Sequence, residues 1–123
     1  MSALCAAQAA STEGGAVKLT TLEAHFVRTD DGGRTITTVD SIGDAHGVMF
    51  LCPKCFIENK GPIGTHSVLC WCPSVPLEIP PGPGRWAFAG TGIDDLTLVA
   101  GSSSILLKSG CAWHGFVRNG DAT

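Results

Sequence analysis

Leu22, Ala24 and Phe26 alternate with polar neighbours up to Arg28, the period of two that marks a half-buried strand. Asp30-Asp31-Gly32-Gly33 comes next as a hairpin turn signal, and Arg34–Val39 returns rich in Thr, Ile and Val. Val48-Met49-Phe50-Leu51 is a short apolar strand that delivers the chain into Cys52, and Pro53 stiffens the Cys52–Cys55 knuckle by fixing φ. After the loop Lys60-Gly61-Pro62-Ile63-Gly64, the pattern predicts strands over 67–72, 96–99, 105–107 and 113–118, the last closed by Asn119-Gly120. Pro73 to Gly84 holds five Pro and two Gly, too rigid and too poor in donors for a helix or a central strand. No apolar face of helical period persists anywhere. The pattern predicts a mainly β, small single-domain fold over residues 16–123, preceded by an Ala/Ser/Gly-rich tail over 1–15 with a short helical turn near Leu4–Ala10.

Composition narrows this picture. A chain of 123 residues with 44% hydrophobic and 15% charged positions suits one globular domain. Sixteen Gly and seven Pro imply many turns, and a small turn-rich domain buries limited surface, so a cross-link would help it. The net charge of −3 comes without a basic stripe, which points away from nucleic acid. No apolar run approaches membrane-spanning length, and Met1–Ala7 lacks a positive, apolar export signal. Six Cys with no export signal read as reduced thiols in a cytoplasm rather than as three disulfides.

The chemistry lies in two half-sites, Cys52-Pro-Lys-Cys55 and Cys111-Ala-Trp-His114. Each has the two-residue gap that lets both side chains reach one ion, and together they form a Cys3His set suited to a closed tetrahedral zinc. The predicted ligands are Cys52, Cys55, Cys111 and His114. A zinc shared between them would staple distant parts of the chain into a zinc-ribbon-like architecture. Cys70-Trp-Cys72 is a rival half-site, since residues i and i+2 of a strand point the same way. His66 lies four residues ahead of it as a further donor, and His46 is a minor candidate. The alternative for Cys70 and Cys72 is a buried strand beside the site, and Cys5 stands alone in the tail. A Rieske cluster needs a C-x-H box, and the chain has none.

Catalysis has weaker signals. Ser102–Ser104, His114 and Asp94 or Asp95 form no G-x-S-x-G elbow. A catalytic zinc needs an open position and a carboxylate base, for which Asp94 and Asp95 are the candidates, although paired Asp before a strand also reads as a cap. Trp71, Trp86 and Trp113 are either core packing around the metal or an aromatic surface beside Lys54 and Arg118.

Phe50-Leu-Cys-Pro-Lys-Cys-Phe56, Gly64-Thr-His66, Pro81-Gly-Pro-Gly-Arg-Trp86, Gly90-Thr-Gly-Ile-Asp-Asp-Leu-Thr-Leu98 and Gly110-Cys-Ala-Trp-His-Gly-Phe-Val-Arg-Asn-Gly120 resemble a family of small proteins of tailed phages and prophages. Its members often carry the label "ammonia monooxygenase", the name of a membrane-bound copper enzyme. The resemblance covers roughly residues 45–121. It implies a phage-encoded protein expressed inside a bacterial host, with a role in the host cytoplasm or in the virion. A more distant similarity links the family to bacterial proteins encoded beside ubiquitin-like conjugation genes. That similarity would put Ser103 or Ser104, Cys111 and His114 in a peptidase-like role. The combined expectation is a zinc-binding accessory or interaction module with a protein partner, no nucleic acid and no membrane. The alternatives are a zinc-supported or serine-type hydrolase and a virion structural component.

Overall fold

The computed structural model describes residues 16–81, 84–99, 105–107, 111 and 113–123; the predicted tail over 1–15 and Ser102–Ser104 lie outside them. The fold is mainly β, as the alternation predicts. Its centre is an antiparallel four-stranded sheet of β2 (His25–Arg28), β3 (Thr37–Val39), β4 (Gly47–Leu51) and β5 (Ser67–Trp71), in the order β3-β2-β4-β5. The short β1 (Val17–Lys18) belongs to a different sheet, at the chain's end. The register pairs Phe26 with Val48 and Val48 with Cys70, so these three share a face. With Phe50 and Val68 they form the main core together with Leu19, Leu22, Leu96, Leu98, Trp113 and Val117. Val27 and Trp71 point to the other face, against Val75. Gly47 lies between these two in the register, and a Cβ there would sit 2.7 Å from the Trp71 ring. Only glycine lets the indole lie flat on the sheet at that point.

Two local expectations change. The Asp30–Gly33 turn opens into a loop that ends only at β3, because side chains take its amides. Thr29, which is buried, accepts from the Gly33 amide through its hydroxyl, and the Asp31 carboxylate accepts from the Thr35 amide. Gly32 and Gly33 supply the positive φ values, 74° and 91°. The second change is an α-helix, α1 (Pro53–Asn59), inside what reads as a knuckle. Pro53 sits at its first position, where the missing N–H costs nothing, and Lys60 ends it in the left-handed region at φ 58°. Seven residues are under two turns, too short for an apolar period to show.

The rest of the chain wraps the core face. β6 (Ala87–Ala89) pairs with β7 (Thr97–Val99), and β8 (Ile105–Leu106) pairs with β9 (His114–Gly115). β10 (Val117–Arg118) and β11 (Asp121–Ala122) form a tight hairpin across Asn119-Gly120, with φ of 50° and 82°, so the pair read as closing a strand in fact turns the chain into another one. β11 also pairs with β1, which joins the start of the described chain to its end. The expected strand over 113–118 is therefore two short strands in two different sheets, interrupted at Phe116.

Candidate metal centre

The strand β4 ends one residue before Cys52, the extended N-cap residue from which α1 begins. Cys55 is on the first turn of that helix. The hairpin register Leu51↔Ser67 sets residue 66 opposite residue 52, and the Cys52 amide donates to the His66 carbonyl at 2.9 Å. Cys111 arrives from the C-terminal segment. Its carbonyl accepts from Lys54 Nζ at 2.8 Å, which ties that segment to the helix.

These elements converge. The ligand atoms of Cys52, Cys55, His66 and Cys111 all lie within 4.8 Å of one another. Cys52 Sγ is 3.5 Å from Cys111 Sγ, and His66 Nε2 is 3.2 Å from the same sulfur. Zn–S bonds of about 2.3 Å give a tetrahedral S···S edge of about 3.8 Å, so the cluster has the dimensions of a closed shell around one ion. His66 Nδ1 lies 3.3 Å from the Ser67 carbonyl. With Nδ1 on that carbonyl, Nε2 is the ring nitrogen turned toward the sulfurs, the arrangement a metal-bound imidazole uses.

The electrostatics agree with that dimension. Burial pushes the Cys52 thiol up to about 12, with the Cys111 sulfur adding to the effect and the amides of Cys55 and Lys54 opposing it. Burial also raises the Cys55 thiol. At Cys111, burial pulls upward, but the His66 ring and the Cys52 sulfur outweigh it and bring the thiol down to about 7. Three sulfurs this close cannot all ionise unless a cation shares the space, and a coordinated thiol is deprotonated outright. A divalent ion with three thiolates leaves a net charge of about −1, which Lys54 faces across the Cys111 carbonyl.

The structure therefore brings Cys52, Cys55 and Cys111 together as the spacing predicts, and puts His66 beside them where the C-x2-H gap predicts His114. The cause is strand alternation. Trp113 turns inward, edge-on to Phe50 with ring centroids 6.1 Å apart, and donates its indole N–H to the Thr123 carbonyl. His114 must then turn outward; it is exposed on β9, with its ring 6.5 Å from that of Phe116. The rival C-x-C half-site does not form. Cys70 lies in the apolar core, where burial pushes its thiol up to about 12, and Cys72 contacts the Ser74 hydroxyl on the far side of the sheet. His46 holds the end of β2 through Thr29, at 2.8 Å from its carbonyl. Cys5 lies outside the described residues.

One of the hydrolytic candidates, Asp95, is engaged elsewhere. The Asp95 carboxylate accepts from the Thr91 amide, the Thr91 hydroxyl and the Gly92 amide, each at 2.9 Å. Trp71 and Trp113 are core residues, and Trp86 is half-buried. No helix among the described residues is long and apolar enough to cross a membrane. Comparison with protein-family models, curated proteins and solved structures gives no match.

Proposed function

We propose that this chain is a small zinc-binding module in which Cys52, Cys55, His66 and Cys111 close around one structural ion. The observation that carries the reading is the meeting of four ligand atoms, from β4, α1, the start of β5 and the C-terminal segment, within 4.8 Å. Zinc is the natural occupant because three thiolates and an imidazole form a soft, tetrahedral, redox-silent shell. Four strong ligands leave no open position for a water. Three thiolates also weaken the ion's ability to acidify a water, and with the shell closed the ion's role is architectural.

The wider role, an accessory or interaction module of a phage acting on a protein partner inside the bacterial host, derives from the motif resemblance. Ile63 is 89% exposed in the loop that leads to His66, an apolar side chain open to a partner. A virion component is the alternative assignment for the same architecture. Metal analysis of protein purified under reducing conditions tests the core of the reading. The expected result is about one zinc per chain, lost in Cys52→Ser. Protein that is folded and metal-free after zinc-supplemented expression would sink it.

A further inference from the structure

We infer that the metal centre is also a redox switch, in which hydrogen peroxide oxidises Cys111 and Cys52 to a disulfide and expels the ion. The inference rests on the zinc-binding reading. Its basis is the asymmetry of the two sulfurs. They are in contact at 3.5 Å, yet Cys52 is wholly buried whereas Cys111 is only half-buried, beside the exposed His66. A small oxidant arriving from solvent meets Cys111 and not Cys52.

The Cys111 sulfur attacks one peroxide oxygen; an S–O bond forms, the O–O bond breaks, and the departing hydroxide takes a proton to become water. Cys111 is then a sulfenic acid, the first reversible rung of thiol oxidation. Cys52 attacks that sulfur from the buried side. An S–S bond forms, the S–O bond breaks, and the second hydroxide is protonated to water. Two thiolates have lost two electrons, and one peroxide has become two waters. With two of its ligands joined, the ion retains only Cys55 and His66 and leaves.

Reaching the disulfide length of about 2.05 Å requires the sulfurs to close by roughly 1.5 Å. The new bond joins the same two segments that the ion joined, the end of β4 and the segment after β8. Oxidation therefore exchanges a metal staple for a covalent one across the same gap. The oxidised protein should need no zinc to stay folded, and a dithiol with fresh zinc should restore the original state.

The experiment starts from full-length protein purified with reductant, with Cys5→Ser and Cys72→Ser introduced to remove thiols away from the centre, and with its zinc content measured first. Hydrogen peroxide is added in the presence of a chromogenic zinc indicator, and disulfides are mapped by mass spectrometry. The expected result is release of the bound zinc together with a Cys52–Cys111 bridge, reversal by dithiothreitol plus zinc, and an oxidised form that stays folded in chelator. Zinc-loaded protein that keeps its metal under peroxide overturns the inference while leaving the metal centre intact. So does a bridge between Cys52 and Cys55, or release accompanied only by sulfinic acid. A starting protein that binds no zinc instead overturns the proposed function, and the switch with it.

Discussion

The two faces of the central sheet each anchor an irregular stretch of chain, by opposite means. On the core side, the C-terminal segment is brought to the end of β4 by a cluster of sulfurs and an imidazole. On the other side, the proline-rich loop is held by one guanidinium. Arg85 donates to the carbonyls of Val75, Pro76, Ile79, Pro81 and Gly84, at 2.6 to 3.0 Å. Prolines bring acceptors without donors, and arginine is the side chain with five N–H groups and no acceptor. Trp71 adds its indole N–H to Pro80 at 2.9 Å and packs with Val27 and Val75. The second anchor is complete within the chain. On the proposed reading the first requires an ion from outside, and so it alone should answer to metal supply, oxidant and acid.

Removing the ion is the most severe way to break this contrast. Structural zinc contributes on the order of 10 kcal/mol in small zinc peptides, comparable to the whole stability of a domain this size. Chelation of the reduced protein should therefore unfold it cooperatively, as read by far-UV circular dichroism. Persistence of the β signal in chelator would mean that the two anchors are not different in kind.

A finer break separates the two histidines. His66→Ala should weaken zinc binding by at least about 100-fold, more than the loss of an outer-shell partner does, whereas His114→Ala should leave it unchanged. Competition against a chelator of known affinity measures both. Equal losses, or loss in His114→Ala alone, would reverse the assignment of the fourth ligand.

On the opposite face, Trp71→Ala should cost about 3–5 kcal/mol through the cavity it leaves, with zinc content per folded chain unchanged. Arg85→Lys should cost roughly 1–3 kcal/mol, because three donors on a flexible stem cannot reach all five carbonyls and leave some without a partner. Denaturant melts of zinc-loaded protein read both. If either variant lost zinc while folded, the two anchors would be coupled through the sheet.

How far the sequence carried differs between these regions for a physical reason. The alternation ending at Arg28, the Asn119-Gly120 strand end and the apolar run before Cys52 are local signals; β4 sits where its run places it, while Leu22 and Glu23 form a turn and β2 starts only at His25. Cys52 and Cys55 were legible because their ligand spacing is local as well, whereas Cys111 was picked out through a gap to His114 that the cluster does not use. His66 was visible only as a residue near Cys70, since its place opposite Cys52 depends on the β4–β5 register across an intervening helix. His114 misleads for the complementary reason: a C-x2-H gap suits a turn, but here Trp113 enters the core and alternation carries the imidazole outward. The role of Arg85 had no local signal at all. It emerges only when the proline-rich loop folds so that five of its carbonyls face one point.

The smallest expected effect concerns a third internally satisfied anchor, the Asp95 carboxylate. Hydrogen bonds from the Thr91 and Gly92 amides hold its pKa below the usual carboxylate value. A carboxylate with a depressed folded pKa contributes stability above its unfolded pKa of about 3.9, and that contribution disappears as pH falls through the lower folded value. Zinc binding weakens at higher pH than this, because protons compete for the thiolates and the imidazole. Between pH 8 and 6 the Asp95 contribution should therefore be constant while the metal-dependent part changes. Asp95→Asn should shift the denaturant midpoint slightly downward, by the same amount at both pH values, with the zinc dependence of the midpoint preserved. A gap between wild type and Asp95→Asn that narrows from pH 8 to 6 would mean that the carboxylate is not held in its ionised form by those amides. A changed zinc dependence would mean that the 90–96 turn reaches the metal centre after all, and the separation between self-contained and metal-dependent anchors would have to be redrawn.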